Sequence, residues 1–483
     1  MPLHEYRRKR DAGRTSEPVP DWEVPDAPAD HTGDDQDGRG DTFVIQEHHA
    51  RALHWDVRLE RDGVLVSWAV PKGLPLDPAT NHLAKQTEDH PMPYAAFEGE
   101  IPKGEYGGGT VTIWAAGTYE LQTWTDREVK VVLHGDRVDG RYVFFRTRGQ
   151  DWMVHRMDGP PPGWQPPPSR LAPMLAYAGP VPRGPGWAFE FKWDGVRALG
   201  YVEGGRLQLL SRNDRDITGA YPELRSAAER LGSTQLVLDG EIVALDPVTG
   251  RPDFGLLQRR MHVDRPAQAT RLARQVPAQW FVFDVLYVDG RPLLDLPYGK
   301  RREVLETLDL PFPVPPSLRE DGATVLKASR AQGLEGIVAK RLRSPYRPGQ
   351  RSDDWVKVKI VHRQEVVVGG WEQGAEGRAT SIGALLLGTY DEAGGLRYAG
   401  QVGTGFTQHT LGDLTRRLAP LRRATSPFAD EVPRLAAQHA IWVEPALVAE
   451  VEFGSWTRDG RLRHPSFKGL RDDCDPRSVR REL

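Results

Sequence analysis

The 483-residue sequence has a single cysteine, Cys474, no apolar run approaching the roughly 20 residues that cross a bilayer, and a formal net charge of only -3. One cysteine forms no internal disulfide and offers no paired-cysteine spacing for structural zinc, and a lone thiol suits a reducing compartment. The N-terminal stretch MPLHEYRRKRDAGRTSEP lacks the apolar core of a secretory signal, so the reading is a cytoplasmic chain with no membrane partner. So small a net charge excludes a global field that draws the protein onto nucleic acid; such contact must come from local basic surfaces. YRRKR, LTRRLAPLRR and RSVRREL are available for that, although such a cluster is more often a solvated face than a phosphate track. There is no internal repeat.

What is present suggests roughly three domains of about 150 residues. Residues 1–40 read as a basic, then acidic, arm whose stretch 19–40 is too polar to order itself. Residues 41–158 carry short strand-like runs (DTFVIQEHH, GVLVSWAVP, GGTVTIWAAGTYEL, VKVVLHG, RYVFFRTRG) between Gly and Asp turns, the pattern of a small β-barrel or sandwich. A proline-dense linker, 159–170, is expected to be stiff and to hold two domains apart. Residues 171–360 mix strands (FEFKWDG, LQLLSR, LVLDGEIVAL, QWFVFDVLYV, GIVAKR, WVKVKI) with helical stretches (YPELRSAAERLG, GKRREVLETL, TVLKASRAQG), an α+β order of antiparallel sheets flanked by helices. Residues 361–483 read as a compact five-stranded barrel with TLGDLTRRLAPL as its one helix. The fold class is therefore multidomain, α+β with all-β parts.

Lys192 lies in EFKWDGVR, two residues from a carboxylate and among apolar and aromatic positions. Such surroundings can disfavour the charged amine and make it a nucleophile, although this string alone better describes a strand lysine in a surface salt bridge. Further strings follow in order: SRN with Arg212, LDGEIVAL with Glu241, FVFDVLY with Phe283, LEGIVAK with Glu335, and WVKVK with Lys357 and Lys359. Over about 310 residues this succession resembles the nucleotidyltransferase superfamily of ATP-dependent DNA ligases. The resemblance implies that Lys192 attacks the α-phosphate of ATP, expels pyrophosphate and holds AMP as a phosphoramidate, after which AMP passes to a DNA 5′-phosphate and a 3′-hydroxyl displaces it. Lys357 and Lys359, on one face of a strand, would neutralise the phosphate. Glu241 and Glu335 would be hard oxygen ligands for Mg2+ or Mn2+, with Asp194 a further carboxylate nearby. Glu190 would read the adenine amino group. Phe283 would stack on the base, though its position reads equally as strand core, and Arg197 and Arg212 would contact ribose, AMP or the 5′-phosphate of the nick. The barrel after residue 361 resembles the oligonucleotide-binding fold that closes over the nucleotide domain and grips DNA.

QEHHARALHWDVRLE concentrates three histidines with an aspartate and an arginine. On a strand His54, Asp56 and Arg58 share a face, and His48 is expected to arrive from the preceding turn; two imidazoles and a carboxylate suit a transition metal, and a metal-free histidine cluster is the plain alternative. His49 should point the other way. With SWAVPKG, EDHPMPYAAFEG and IPKGEYGGGTV downstream, the stretch resembles the 3′-phosphoesterase domain of bacterial end-joining ligases of the ligase D type. That resemblance implies Mn2+ on His48, His54 and Asp56, with Arg58 and His90 engaging the scissile phosphate, Lys72 and Tyr94 in support, and Arg10, Asp11 and Glu17 matching the family's upstream motif. His82 stands where relatives carry arginine, which implies a weaker or pH-dependent phosphate grip. It also implies a chain that trims a 3′-phosphate or 3′-ribonucleotide and seals the resulting 3′-hydroxyl at nicks and double-strand breaks. A separate primase-polymerase would do any gap filling, because the polymerase domain of larger relatives has no room here. Ku is the expected end-bridging partner, and the location is the bacterial nucleoid. An RNA ligase or capping-type nucleotidyltransferase, and a non-catalytic end-binding scaffold, are the competing functions; the N-terminal domain and HPSFKGLR weigh against the first, the complete set of candidate side chains against the second.

Cys474 closes RLRHPSFKGLRDDC, which resembles the last ligase element. Many relatives end there in Arg-x-Asp-Lys, and the basic element orients the leaving pyrophosphate; here Arg471, Asp472 and Asp473 precede a thiol. The expectation is slowed adenylation of Lys192, partly compensated by Lys468 and Arg471.

Overall fold

A computed structural model describes residues 3–19, 40–263, 265–374, 382–457 and 459–482, so nearly all of the stretch expected to be flexible (20–39) lies outside the described residues. By compactness the chain forms two units: Met1–Tyr177 with Val181–Gly322 and Val338–Val356, and Ala178–Pro180 with Ala323–Ile337 and Lys357–Leu483. Among the described residues no helix is long and apolar enough to cross a membrane.

The first unit begins with a short helix, α1 (Leu3–Arg8), and a β-barrel. Its strands are β1 (Thr42–His49), β2 (Leu53–Arg61), β3 (Val64–Val70), β4 (Asn81–Gln86), β5 (His90–Pro91), β6 (Gly99–Ile101), β7 (Gly109–Trp124), β8 (Glu128–Gly135), β9 (Asp139–Arg148) and β10 (Asp151–Arg156). The order β1-β2-β3-β4-β10-β9-β8-β7 closes through pairing of β7 with β1, giving eight antiparallel strands without a free edge; β5 adds to β3 and β6 to β7. Alternation along β2 sends Leu53, Trp55, Val57 and Leu59 into the barrel core with Phe43, Trp68 and Phe144, and turns His54, Asp56 and Arg58 to the outer face. A smaller cluster of Tyr6, Leu65, Tyr94, Phe97, Ile101 and Val111 accompanies the residues on that outer face and takes in Tyr6, the buried residue of α1.

Part of the proline-dense stretch packs on the domain that follows it. Gln165 donates its backbone N–H to Gly290 (2.8 Å), the Tyr287 hydroxyl donates to the Gln165 carbonyl (2.8 Å), and the Trp164 indole sits where a Cβ on Gly290 would lie 2.1 Å from it. A tryptophan amid the prolines covers the glycine turn at Gly290.

The adenylation part of this unit contains β11 (Leu175–Ala178), β12 (Trp187–Lys192), β13 (Val196–Glu203), β14 (Arg206–Ser211), α2 (Pro222–Ala228), β15 (Leu236–Ala244), α3 (Phe254–Gln258), α4 (Pro266–Gln275), β16 (Ala278–Val288), β17 (Arg291–Pro292) and α5 (Tyr298–Thr307). It is followed by α6 (Gly322–Ala331), β18 (Gly336–Arg341) and β19 (Arg351–Lys359). One sheet runs β14-β13-β15-β16-β17, antiparallel throughout, and another β11-β19-β18-β12. Strand β13 (VRALGYVE) is not among the strands expected from the sequence. Gly200 is where the Trp280 ring packs: a Cβ there would lie 2.1 Å from the indole.

The second unit carries β20 (His362–Gln373), β21 (Ile382–Tyr390), β22 (Leu396–Val402), α7 (Gln408–Leu418), α8 (Arg434–Ala437), β23 (Ala440–Trp442), β24 (Val448–Phe453) and β25 (Ser466–Leu470). Their order is β22-β21-β20-β24-β25 with β23 added to β20. The described residues thus hold six strands rather than five, and a second, one-turn helix joins the expected α7.

Candidate active sites

The outer face of the β1–β2 hairpin gathers the first constellation. His48 comes from β1 itself, directly opposite His54 in register, and not from the preceding turn as the sequence suggested. A single strand shows only its own period, and the pairing that makes these two neighbours is non-local. His48 Nδ1 lies 3.6 Å from Asp56 Oδ2 and His54 Nε2 lies 3.7 Å from Asp56 Oδ1; one ligand atom from each residue falls within 4.8 Å of the others. The far nitrogen of each ring donates to a carbonyl, His48 Nε2 to Gly107 (2.8 Å) and His54 Nδ1 to Ala52 (2.9 Å). In the neutral rings the near nitrogens therefore present lone pairs, converging with a carboxylate on one point. That arrangement fits a cation, with the tautomers fixed by outer-sphere carbonyls. Burial works to raise the Asp56 pKa, but Arg58 and the two imidazoles outweigh it and hold the carboxyl well below the usual range, so it is ionised as a ligand must be.

Arg58 lies wholly buried behind this cluster. It donates Nε to Gln46 (2.7 Å), Nη1 to Ser67 (2.9 Å) and Nη2 to Asp56 (2.9 Å), with Nη1 also 2.9 Å from His90 Nδ1. Burial, then the charges of Arg58 and Arg10, push the His90 imidazole well below its ordinary pKa and keep it neutral at pH 7. Arg10 closes the far side: Nε donates to Glu17 (2.7 Å), Nη1 to Glu88 (2.9 Å), and Nη2 stands 3.5 Å from His90 Nε2. Tyr94 donates to Glu17 (3.1 Å). Asp11 caps its own turn, its carboxylate accepting from the Gly13 N–H at 3.0 Å, and His49 turns away to Glu47 (2.7 Å).

Lys72 and His82 take no part in this network. Lys72 donates to Glu203 on β13 at 2.5 Å, and His82 faces the same carboxylate at 3.9 Å while its Nδ1 donates to Gly73 (2.8 Å). Burial pulls the His82 pKa down. Gln46, Ser67 and Glu88 are not among the candidates the sequence offers; their only signal is polarity, at buried strand positions for Gln46 and Ser67 and in the buried stretch between β4 and β5 for Glu88.

The second constellation surrounds the KWDG turn at the end of β12. Gly195 lets the turn lie against β15, since a Cβ there would be 2.2 Å from the Ile242 carbonyl and 3.0 Å from the Glu241 side chain. Arg197, opposite Glu241 in register, is clamped by Asp239 through Nε and Nη2 (both 2.6 Å), and Tyr346 donates to the same carboxylate (2.6 Å). Phe283 is buried in a cluster with Tyr346 and Trp355, with Arg197 4.6 Å from its ring centroid. Glu190 is only 4% exposed and is engaged from within: Lys340 Nζ lies 2.8 Å from one oxygen and the Tyr298 hydroxyl donates to the other. Lys340, fully buried, sits 4.4 Å from the ring centroids of both Phe283 and Trp355; burial lowers its pKa against the pull of Glu190. It stands in the LEGIVAK string, where the sequence marks the glutamate as a candidate and gives the lysine no sign of the rings around it. Arg212 is exposed in the turn after β14.

Lys192, Asp194 and Glu241 belong to the first unit, Glu335, Lys357 and Lys359 to the second, where Lys359 pairs with Glu335 (2.9 Å). In that unit Arg471 is held by Asp473 (2.9 Å), Glu450 (3.0 Å) and Glu365 (3.2 Å), and Lys468 by Glu452 (2.6 Å).

Residues 46–146 match the family described as DNA ligase D 3′-phosphoesterase domain, residues 173–359 the ATP-dependent DNA ligase domain, and residues 378–474 the ATP-dependent DNA ligase C-terminal region. The chain is 47% identical over 488 residues to the multifunctional non-homologous end joining DNA repair protein LigD of Mycobacterium tuberculosis, covering 99% of this chain but 61% of that protein. It is 35% identical over 334 residues to DNA ligase C1 of Mycolicibacterium smegmatis, covering 65% of this chain and 92% of the relative. The solved ligase domain of M. tuberculosis LigD is 43% identical, covers 65% of this chain and 98% of that one, and aligns with a TM-score of 0.38.

Proposed function

The chain belongs to the ATP-dependent DNA ligases of the LigD type, and on that premise we propose that it mends DNA ends in two steps carried on one polypeptide. The outer-face site of the barrel removes a 3′-phosphate or 3′-ribonucleotide, and the adenylation domain seals the 3′-hydroxyl so exposed. The observation that carries the first step is the convergence of His48, His54 and Asp56 on one point, with both imidazoles oriented by carbonyls. Mn2+ held there would polarise the phosphate ester and acidify a bound water. Arg58 keeps Asp56 ionised and stands 2.9 Å from His90, a neutral imidazole that with Arg58 would engage the scissile phosphate by hydrogen bonding.

For the second step Lys192 is the nucleophile toward the α-phosphate of ATP. Its nitrogen gains the phosphorus, pyrophosphate leaves, and AMP stays as a phosphoramidate until the DNA 5′-phosphate takes it. Glu241 would offer a carboxylate for Mg2+ or Mn2+, and Arg197, opposite it in register and held by Asp239, would meet the nucleotide or the 5′-phosphate. The Glu190–Lys340–Tyr298 group is a rigid polar floor beneath Phe283, the proposed adenine platform. Nicks and double-strand break ends in the bacterial nucleoid are the proposed substrates, with a Ku-type end-bridging protein and a separate primase-polymerase as partners.

ATP labelled at the α-phosphate tests the ligase assignment: the label is expected to remain on the protein with Mg2+ or Mn2+, and to be lost in Lys192→Ala. A wild-type chain that retains no label rules it out.

A further inference from the structure

Two turns of the adenylation domain are packed against one end of the barrel, both within the first compact unit. The β13–β14 turn is one. Its Gly204 and Gly205 have positive φ (54° and 65°), and a Cβ on Gly204 would lie 3.0 Å from Lys72 Cα and 3.4 Å from the Trp55 ring, one on Gly205 2.5 Å from Leu53 Cδ2. Glu203 adds the pair with Lys72. The other is the turn after α2, where a Cβ on Gly232 would lie 2.9 Å from Glu47 Oε1 and Ser233 accepts from the Trp114 indole (2.8 Å). Trp114 occupies the bulge of β7 opposite Ile45 and Gln46, which re-aims its side chain.

The barrel residues touched are the sequence neighbours of the proposed metal ligands. Glu47 precedes His48, and Leu53 and Trp55 flank His54. The pairs His48–His54 and His49–Leu53 are the last two before the hairpin turns. His48 and His49 also pair with Val111 and Thr110 of β7, whereas the register of β2 with β3 ends at Trp55, so the β2 side of the tip is where the ladder opens first. Metal ligands and adenylation contacts therefore alternate along the same few residues.

We propose that the adenylation domain is a structural part of the phosphoesterase site: its two turns brace the tip of the β1–β2 hairpin and so hold His48 and His54 at metal-binding geometry. Glu203, Gly205 and Ser233 are positioning residues that never meet the substrate. The inference rests on the reading of His48, His54 and Asp56 as a metal site.

The test uses the full chain. Gly205→Val drives a side chain into Leu53, and Glu203→Lys sets a cation against Lys72. Free Mn2+ followed by electron paramagnetic resonance is expected to show binding weakened about tenfold or more in both, the scale on which outer-sphere supports act. Amide exchange over residues 47–56 should rise in parallel, and adding Lys72→Glu to Glu203→Lys should restore both. Lysyl-AMP formation at Lys192 serves as the control that the adenylation domain keeps its fold, and if Gly205→Val fails that control the charge-swapped pair decides. Unchanged exchange, or exchange that rises while Mn2+ affinity does not fall, overturns the brace. Should His54→Ala bind Mn2+ as well as the wild type, the metal site itself is wrong, and the brace falls with it as a determinant of ligand geometry.

Discussion

Glu365 decides what the lone thiol can do. Its hydrogen bond raises the pKa of Cys474, so the side chain remains a neutral thiol at physiological pH and is a poor nucleophile. The neighbouring cation offers little replacement, because Arg471 faces Glu365, Glu450 and Asp473 together. A lysine at position 474 supplies the charge that the family pattern has there. Cys474→Lys is expected to speed lysyl-AMP formation roughly tenfold, the size of one charge-assisted contact to a phosphate, and to leave sealing of pre-adenylated nicks unchanged. Quenched-flow labelling with ATP measures the first rate, and an equal rate in both proteins would dismiss the missing cation as a handicap. Position 474 was legible from the sequence as an absence. Lys340 was not, since a lysine in a strand string says nothing about the aromatic rings around it until the sheet is assembled.

At the level of elements, the N-terminal arm is held by charge as much as by Tyr6. Lys9 and Arg10 both donate to Glu88, and Arg10 also to Glu17, with the Arg10, Glu17 and Glu88 side chains almost fully buried. Removing one partner of such a group leaves the others uncompensated, so Arg10→Ala should cost on the order of 3–5 kcal/mol of arm docking. Calorimetry of the full chain, with amide exchange over Leu3–Arg8, reads the loss. Burial raises the Glu88 pKa, but hydrogen bonds from Arg10 and Lys9 outweigh it and depress the folded value. Its stabilisation is therefore complete above the ordinary glutamate pKa of about 4.3 and disappears as pH falls through the lower folded value. The arm should consequently undock in acid before the closed barrel melts, and cooperative loss of both at one pH would contradict this. Elements whose own residues carry the pattern were readable: the period of two in β2 yields His54, Asp56 and Arg58 without any structure. His48 opposite His54, β13 with Gly200 under Trp280, and the bulge at Trp114 depend on a partner strand, and one strand's sequence does not record its partner.

Across the whole molecule, the order of chemistry is set by the product of one site being the reactant of the other. A 3′-phosphate cannot attack an adenylated 5′ end, because the hydroxyl nucleophile is masked. The two proposed sites must therefore act in series on blocked ends and independently on clean ones. On a nick bearing a 3′-phosphate, with ATP and Mn2+, the wild type is expected to seal after a lag in which 3′-hydroxyl ends accumulate. His54→Ala should leave such nicks open yet seal 3′-hydroxyl nicks at the wild-type rate, since His54 lies outside the adenylation domain. Lys192→Ala should unmask the 3′ end and then stop. Gel separation of the three DNA species over time distinguishes these outcomes. If His54→Ala seals the blocked nick, the end-healing step does not depend on the His48–His54–Asp56 cluster, and the serial reading fails even where the ligase assignment stands.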